Sequence, residues 1–275
     1  MKSKLDSSLV SVTWLKEHLE DENLIVLNAT IPKVTSVDNQ LEAQQIPKAR
    51  FFDIKTKFSD TSNRFPNALP STEQFNKEAQ NLGINNDSII VVYDEYGFYS
   101  CARAWWLFKA FGHKQAAILD GGLPEWKKAG FPTEEKKERA LPKGNFAGTL
   151  NPHYFKFFED IQQLKGDTST VILDARAKDR FEGLHPEPRE GLRSGHITNS
   201  VSLPYQELLS GNVLKSSMEL KRIFQSLNPD NKNMVFSCGS GVTACILALG
   251  AEIAGYDNLS VYDGSWTEYG TLTTN

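Results

Sequence analysis

Near the C-terminus, one cysteine stands between an apolar run and a helical pattern. Residues 234–236 are Met-Val-Phe, Cys238 follows after one serine, and glycines stand on both sides of Ser240. An apolar segment with helical spacing then runs from 244 to 254. The pattern predicts a strand, a tight loop and a helix, with the sulfur at the carboxyl end of a parallel sheet and beside the positive end of the helix. This position favours a thiolate, and the glycines expose backbone N–H groups that can surround an anion.

The other two cysteines, Cys101 and Cys245, lie in apolar helical runs. Buried cysteines behave as small hydrophobic residues, so we expect both to be core thiols. Three cysteines without CxxC or His-rich spacing predict neither a disulfide framework nor a zinc site. The alternative to a reactive Cys238 is a structural one, a buried thiol in a duplicated scaffold. The glycines that follow Cys238 are less consistent with that role.

A single thiolate in such a loop is compatible with few reactions. A cysteine protease needs a histidine base, and none of the five histidines has a local signature that assigns it this role. A cysteine phosphatase holds phosphate with an arginine after five intervening residues, and that position is Ala244. Thiolate attack on sulfur remains, because the persulfide product is an anion that the loop amides can hold.

The elements that must position Cys238 occur twice in the chain. Apolar residues 89–93 and a helical segment at 101–111 match 234–236 and 244–254, and Leu119–Trp126 matches Tyr262–Tyr269, with Asp-Gly-Gly in one and Asp-Gly-Ser in the other. Alternating strands and helices predict the α/β class, twice, each copy a mostly parallel sheet flanked by helices. Aligning the two Asp-Gly turns places Glu95 opposite Cys238, so the N-terminal copy has lost the thiol.

Polar residues mark the predicted helix starts and the segment between the two copies. Hydroxyl residues followed by glutamate predict helix starts at 71–73 and 216–219. Residues 133–152 are rich in charge, Gly and Pro, which is typical of an interdomain linker with a solvated charged surface. We therefore expect a non-catalytic domain at 1–135, a linker at 136–152 and a catalytic domain at 153–275.

Composition limits the partners. The chain has 275 residues, 40% hydrophobic and 23% charged, with a net charge of −4, which argues against a nucleic-acid partner. No apolar run reaches the length of a membrane span, so we expect no membrane partner. The charged residues 1–6 lack the apolar run of a secretory signal, so we expect a cytoplasmic protein.

Over nearly the whole chain, these residues resemble the two-domain rhodanese-like sulfurtransferases. The run from Cys238 to Thr243 is similar to the active loop of the branch that uses 3-mercaptopyruvate, and the closing run 262–269 resembles the family's C-terminal signature. Members that use thiosulfate typically carry Arg and Lys after the cysteine, where this chain has Gly239 and Ser240. An uncharged loop leaves the carboxylate of the donor to be held by other groups.

The resemblance implies roles for individual residues. Cys238 carries the persulfide, Ser240 donates a hydrogen bond, and Arg180 and Arg189 clasp the carboxylate and keto oxygen of the donor, for which forked guanidinium donors are suited. The loop residues expected to bind substrate through their amides are Gly239, Gly241, Val242 and Thr243. The alternative for both arginines is a structural ion pair with Glu182, Glu187 or Glu190. Arg193 is a weaker candidate for binding the sulfur donor. Arg176 is expected to brace the loops, and His196 to stabilise a turn.

Two positions depart from the family pattern. Lys55 and Asn67 stand where the mercaptopyruvate branch commonly has an acidic residue and a histidine, so the resemblance does not support a Ser-His-acid relay through Ser240. It implies transfer of sulfur from 3-mercaptopyruvate, a small-molecule donor, through Cys238 to a small thiol, thioredoxin or cyanide, with no metal or organic cofactor. The alternatives are a thiosulfate sulfurtransferase and, from another class, a rhodanese-like module that senses sulfur or redox state without turnover.

Overall fold

The structure, a computed structural model, describes residues 4–34, 41–137 and 139–274. These residues form two compact units. The first contains Met1–Asp60, Leu69–Asn151 and Gly211–Val213, and the second contains Thr61–Ala68, Pro152–Ser210 and Leu214–Asn275. The short segment 61–68 therefore belongs to the same unit as Cys238.

The first unit is built on a sheet of five parallel strands. Along residues 4–137 the elements are β1 (Leu9–Val10), α1 (Val12–His18), β2 (Leu24–Asn28), β3 (Gln44–Gln45), β4 (Arg50–Phe51), α2 (Thr72–Asn81), β5 (Ile89–Tyr93), α3 (Cys101–Ala110), β6 (Ala116–Leu119), α4 (Gly122–Lys128) and β7 (Glu134–Glu135). The strand order is β1-β6-β5-β2-β4, and every pairing in this sheet is parallel. The central strand β5 is buried along its whole length, as its sequence Ile-Ile-Val-Val-Tyr requires.

The second unit repeats this order. Along residues 152–274, two short 3₁₀ helices (Pro152–Tyr154 and Tyr205–Leu208) accompany β8 (Phe155–Lys156), α5 (Phe158–Gln163), β9 (Thr170–Asp174), α6 (Lys178–Phe181), β10 (Ser200–Ser202), β11 (Leu209–Ser210), β12 (Val213–Leu214), α7 (Ser217–Leu227), β13 (Asn233–Ser237), α8 (Ala244–Ile253), β14 (Leu259–Tyr262) and α9 (Ser265–Leu272). Of these, β12 begins at Val213, which belongs to the first unit. The sheet runs β10-β9-β13-β14-β8 with parallel pairings, so β13 occupies the central place that β5 has in the first unit. The predicted fold class is confirmed.

Strand register identifies the true counterpart of Cys238. Tyr93 pairs with the last residue of β2, and Ser237 pairs with the last residue of β9, so the residues that follow them, Asp94 and Cys238, are equivalent. A backbone hydrogen bond common to both units supports this equivalence. The Asp94 carbonyl accepts the N–H of Leu123 in α4 at 3.1 Å, and the Cys238 carbonyl accepts the N–H of Trp266 in α9 at 3.0 Å. The alignment that placed Glu95 opposite Cys238 was wrong by one position, because the loop between β5 and α3 is one residue longer than that between β13 and α8.

Other local predictions are confirmed. Helix α2 begins after Ser71, whose side chain accepts the N–H of Gln74, and α7 begins after Ser216 with a reciprocal capping box. Cys101 and Cys245 are fully buried core thiols. Burial, reinforced by the neighbouring Asp94, raises the pKa of Cys101 well above its ordinary value. Within the described ranges, no helix is both long and apolar enough to cross a membrane.

The charged segment after α4 packs more closely than its composition indicates. Strand β7 pairs antiparallel with β3, and Phe146 is buried with its ring edge against Phe75 at a centroid distance of 5.8 Å. The Gln80 side chain donates to the Phe146 carbonyl at 2.8 Å. Residues up to 151 are therefore attached to the first unit and contribute to its core.

Candidate active site

Cys238 is the first residue after the central strand β13, and it is buried. Helix α8 begins six residues later, at Ala244. The carboxyl end of β13 and the N-terminal end of α8 therefore lie on either side of the loop 238–243, as the sequence predicts. The N-terminal end of α8 places partial positive charge and free N–H groups beside this loop.

The Asp-Gly-Ser-Trp run holds this loop in place. The Ser265 hydroxyl accepts the N–H groups of Cys238 and Gly241, each at 3.1 Å. In the other direction, the N–H of Trp266 donates to the Cys238 carbonyl at 3.0 Å, and the N–H of Thr267 donates to the Gly239 carbonyl at 2.9 Å. The first turn of α9 therefore fixes the backbone of the loop 238–243, which we term the cysteine loop.

Four other loop amides are left for a ligand. In the described chain, no protein acceptor faces the N–H groups of Gly239, Ser240, Val242 and Thr243, which together we term the amide cradle. Buried N–H groups in proteins nearly always have a partner, so amides of this kind mark a binding site for an anion. This arrangement fits a substrate or intermediate whose charge develops beside Cys238.

Two guanidinium groups approach the loop at Gly239. A β-carbon built on Gly239 would lie 3.5 Å from Arg180 Nη2 and 3.7 Å from Arg189 Nη1. The absence of a side chain at this position therefore leaves space between the loop and both arginines. The structure brings Arg180 and Arg189 to the loop 238–243.

Arg180 is oriented by a buried carboxylate. Its Nη2 donates to Glu187 Oε2 at 2.5 Å, while Glu187 Oε1 accepts Arg176 Nη1 at 2.7 Å. Arg176 also forms a bidentate pair with Asp174, from Nε to Oδ1 and from Nη2 to Oδ2, and it is buried beneath the Trp266 ring at 4.9 Å. Although burial alone would lower it, the two carboxylates raise the pKa of Arg176. Arg176 braces the loops, as expected, and the predicted alternative of an ion pair between Arg180 and Glu187 is also present.

Ser240 is held by two donors. Its hydroxyl oxygen accepts Asn67 Nδ2 at 3.0 Å and Arg189 Nη2 at 3.1 Å, and Arg189 Nη1 donates to Thr267 Oγ1 at 3.1 Å. Asn67 adopts a left-handed backbone with φ of 60°, which asparagine tolerates better than most residues. The sequence marks Asn67 only as a departure from a family pattern, and its contact with Ser240 is a finding of the structure.

The remaining predicted residues lie elsewhere. Arg193 donates to the carbonyl and hydroxyl of Thr273 and lies over the Trp266 ring at 4.5 Å, so it fastens the C-terminal segment. His196 binds the Phe181 carbonyl at 2.9 Å and stacks on that ring, which agrees with a turn-stabilising role. Lys55 belongs to the first unit, where its N–H donates to Asp53 Oδ1 at 3.0 Å.

In the first unit, the side chain of Asp94 occupies the equivalent loop. Asp94 Oδ2 accepts the N–H groups of Tyr99, Ser100 and Cys101 at 2.8 to 3.0 Å, and Oδ1 accepts that of Tyr96 at 2.9 Å. This buried carboxylate occupies amides comparable to those that the second unit leaves open. The first unit therefore has a carboxylate in place of the thiol, and that carboxylate already accepts four of the loop's N–H groups.

Comparisons with known proteins agree with this geometry. A model of the rhodanese-like domain family matches the chain twice, at residues 11–129 and 158–271. The human 3-mercaptopyruvate sulfurtransferase is 38% identical over 277 residues, covering 97% of this chain and 93% of that protein. The rat thiosulfate sulfurtransferase is 36% identical over 273 residues, covering 95% and 91%.

A solved structure extends the likeness to three dimensions. The crystal structure of SseA from Escherichia coli, a 3-mercaptopyruvate sulfotransferase, superposes with a TM-score of 0.84 at 33% identity, covering 94% of this chain and 99% of that one. The family resemblance inferred from the sequence is confirmed. The chain belongs to the rhodanese family, with two rhodanese-like domains in tandem.

Proposed function

We propose that this protein is a sulfurtransferase that takes sulfur from 3-mercaptopyruvate and passes it, through a persulfide on Cys238, to a thiol acceptor. One observation carries the proposal. A thiol at the carboxyl end of the central strand stands in a loop whose amide cradle has no protein acceptor among the described residues, with Arg180 and Arg189 beside Gly239. The human relative's activity supports the choice of donor.

The first half-reaction moves one sulfur atom onto the enzyme. The Cys238 thiolate attacks the thiol sulfur of 3-mercaptopyruvate, and an S–S bond forms as the donor's C–S bond breaks. The electron pair of that bond leaves on carbon as the enolate of pyruvate, which takes up one proton. Cys238 then carries the transferred sulfur as a persulfide, whose negative charge the amide cradle binds.

Hydrogen-bond direction assigns a role to Ser240. Both of its side-chain neighbours, Asn67 Nδ2 and Arg189 Nη2, are donors, so the Ser240 oxygen accepts from both. Neither group can remove the serine proton, because an amide nitrogen and a guanidinium are not bases at neutral pH. Ser240 therefore donates its own hydrogen to the keto oxygen of the donor, where negative charge develops, and acts without a proton relay.

The second half-reaction returns the thiolate. The thiolate of the acceptor attacks the outer sulfur of the persulfide, the S–S bond to Cys238 breaks, and the acceptor leaves with the sulfur. A small thiol or thioredoxin serves as the acceptor, in the cytoplasm, and cyanide replaces it in an assay. Two products leaving in separate steps predict ping-pong kinetics.

Pyruvate release tests the enzyme proposal. The protein is incubated with 3-mercaptopyruvate and a reducing thiol, and pyruvate and sulfide are measured over time. Wild type should release both, Cys238→Ser neither above background, and Cys101→Ala, which removes a core thiol of the first unit, should match wild type. If wild type releases no more pyruvate than Cys238→Ser, the protein is a module that does not turn over.

Donor preference tests the role of the arginines. The rat relative is named for thiosulfate, which keeps that donor as the second candidate. We expect kcat/KM to favour 3-mercaptopyruvate, because the loop itself carries no cation for a dianionic donor. Arg189→Ala should reduce this preference, whereas Arg222→Ala on the exposed face of α7 should not change it. A wild-type preference for thiosulfate would refute the argument from the uncharged loop.

A further inference from the structure

Ser265 has a backbone conformation that disfavours most side chains. Its φ is 49°, in the left-handed region that favours glycine, and it is fully buried. The equivalent residue in the first unit, Gly122, has φ of 54° and no side chain. A serine at a position suited to glycine indicates that its hydroxyl is needed.

All the hydrogen-bonding capacity of that hydroxyl is used. Oγ donates its hydrogen to the Tyr262 carbonyl at 2.8 Å, which leaves its two lone pairs for the N–H groups of Cys238 and Gly241. The distance from Oγ to Cys238 Sγ is 4.0 Å, far longer than the bond to Tyr262. Ser265 therefore acts on the backbone of the cysteine loop and does not donate to the sulfur.

The first unit shows what happens without this hydroxyl. A β-carbon on Gly122 would overlap the Asp94 carbonyl oxygen, so the loop of the first unit comes into the space that a side chain would need. Its amides are then held from inside the loop by the Asp94 carboxylate. In the first unit, the Asp94 carboxylate accepts loop amides from inside the loop. In the second unit, the Ser265 hydroxyl fixes the loop backbone from outside and leaves the amide cradle open to a ligand.

We propose that Ser265 is the positioning residue of the amide cradle. By accepting the N–H groups of Cys238 and Gly241, it fixes the loop so that the four amides of the cradle stay directed to an anion at Cys238. The identity of that anion, a persulfide, rests on the proposed function, but the positioning of the loop does not.

Alkylation of Cys238 measures the loop without requiring turnover. Iodoacetamide reacts with thiolate, so its rate at Cys238, followed by mass spectrometry, reports how well the loop supports the charge. We expect Ser265→Ala to slow alkylation by roughly tenfold or more, the scale set by two buried amides that lose their acceptor. The loss should be largest near neutral pH and shrink in alkaline solution, where any thiol ionises. The kcat for pyruvate release should fall by a similar factor, with a smaller change in KM.

A second buried hydroxyl provides the matched control. Ser260 is buried in β14 and donates to the His153 carbonyl at 2.8 Å, so Ser260→Ala removes one buried hydrogen bond elsewhere in the same unit. This variant should alkylate at the wild-type rate. If Ser265→Ala fails to fold, Ser265→Gly takes its place, because glycine adopts a φ of 49° without strain.

The outcomes separate the two proposals. Wild-type alkylation in folded Ser265→Ala or Ser265→Gly, or an equal loss at every pH, overturns the positioning role. A wild type that releases no pyruvate, while alkylation still depends on Ser265, refutes the sulfurtransferase proposal and leaves the positioning role standing.

Discussion

Glu187 makes a testable link between stability and substrate binding. Its carboxylate is fully buried and joins two arginines, Arg176 at 2.7 Å and Arg180 at 2.5 Å. Arg176 belongs to the structural network, while Arg180 reaches the cysteine loop. Glu187→Gln keeps the shape of the side chain but removes its charge and one of its two acceptor oxygens.

The magnitude follows from the burial of the partners. The Arg176 side chain is 1% exposed and the Arg180 side chain 15%, so water cannot replace the lost acceptor at Arg176 and replaces it only in part at Arg180. Hydrogen bonds to charged groups contribute about 1.5–3 kcal/mol each, and removing one partner of a buried ion pair costs about 3–5 kcal/mol. Because Asp174 still pairs with Arg176, we expect the lower end, about 3 kcal/mol, and a fall in Tm on the order of 10 °C.

The effect on activity should appear mainly in KM. Arg180 loses the group that directs its guanidinium toward Gly239, so binding of the donor carboxylate weakens. We expect KM for 3-mercaptopyruvate to rise roughly tenfold, equivalent to about 1.4 kcal/mol, with a smaller change in kcat. Differential scanning calorimetry and steady-state pyruvate release measure the two effects on the same preparation.

Glu182→Gln is the matched control. Glu182 faces Lys178 at 3.8 Å on the solvent side of the same segment, with 43% of its side chain exposed, and exposed pairs of this kind contribute little. Both Tm and KM should stay near wild type. A Glu187→Gln protein with unchanged Tm and unchanged KM would show that Glu187 does not anchor Arg180, and a changed Tm with unchanged KM would refute the part of the reasoning that concerns the donor.

Three further predictions concern single residues. Asn67→His places a titratable ring beside Ser240, so sulfur transfer should gain a dependence on pH around the ordinary histidine value of about 6.5 that wild type lacks; identical pH profiles would contradict the direct contact. Asp94→Asn removes the charge that four N–H groups share, and urea unfolding should show a loss of about 3 kcal/mol while alkylation of Cys238 is unchanged. Burial, with help from neighbouring carboxylates, raises the pKa of Glu268, so its native state holds the proton more tightly than the unfolded chain, and stability falls as pH rises above about 4.5. Glu268→Gln should therefore raise Tm at neutral pH but not in acid, and an equal gain at both would argue against ionisation as the cause.

The local parts of the site are predictable from the sequence because they depend on neighbouring residues. An apolar strand, a cysteine and two glycines define the loop 238–243 within a dozen residues, and the capping serines at 71 and 216 mark helix starts by the same short-range physics. The two-residue edge strands β1 and β4 are not predictable in this way. They contain too few residues to show a period, and their pairing depends on the strands beside them.

The long-range parts need the fold. Asn67 and Ser240 are 173 positions apart, and no periodicity links a left-handed asparagine after a proline to a loop serine near the C-terminus. Glu187 shows a different limit. The sequence offers it as one of three possible partners for Arg180 and Arg189, whereas the structure pairs its buried carboxylate with Arg180 and Arg176.

The two units show that the chemistry of this fold depends on which group satisfies the loop amides. Both units place a loop between the central strand and a helix, and both must find acceptors for N–H groups at that helix start. In the first unit the longer loop folds the Asp94 carboxylate back onto its own amides, so an internal anion accepts four of these N–H groups. In the second unit Ser265 takes two amides from outside, and the shorter loop has no carboxylate for the other four. Under the proposed function, the negative sulfur on Cys238 is the acceptor that these four amides bind.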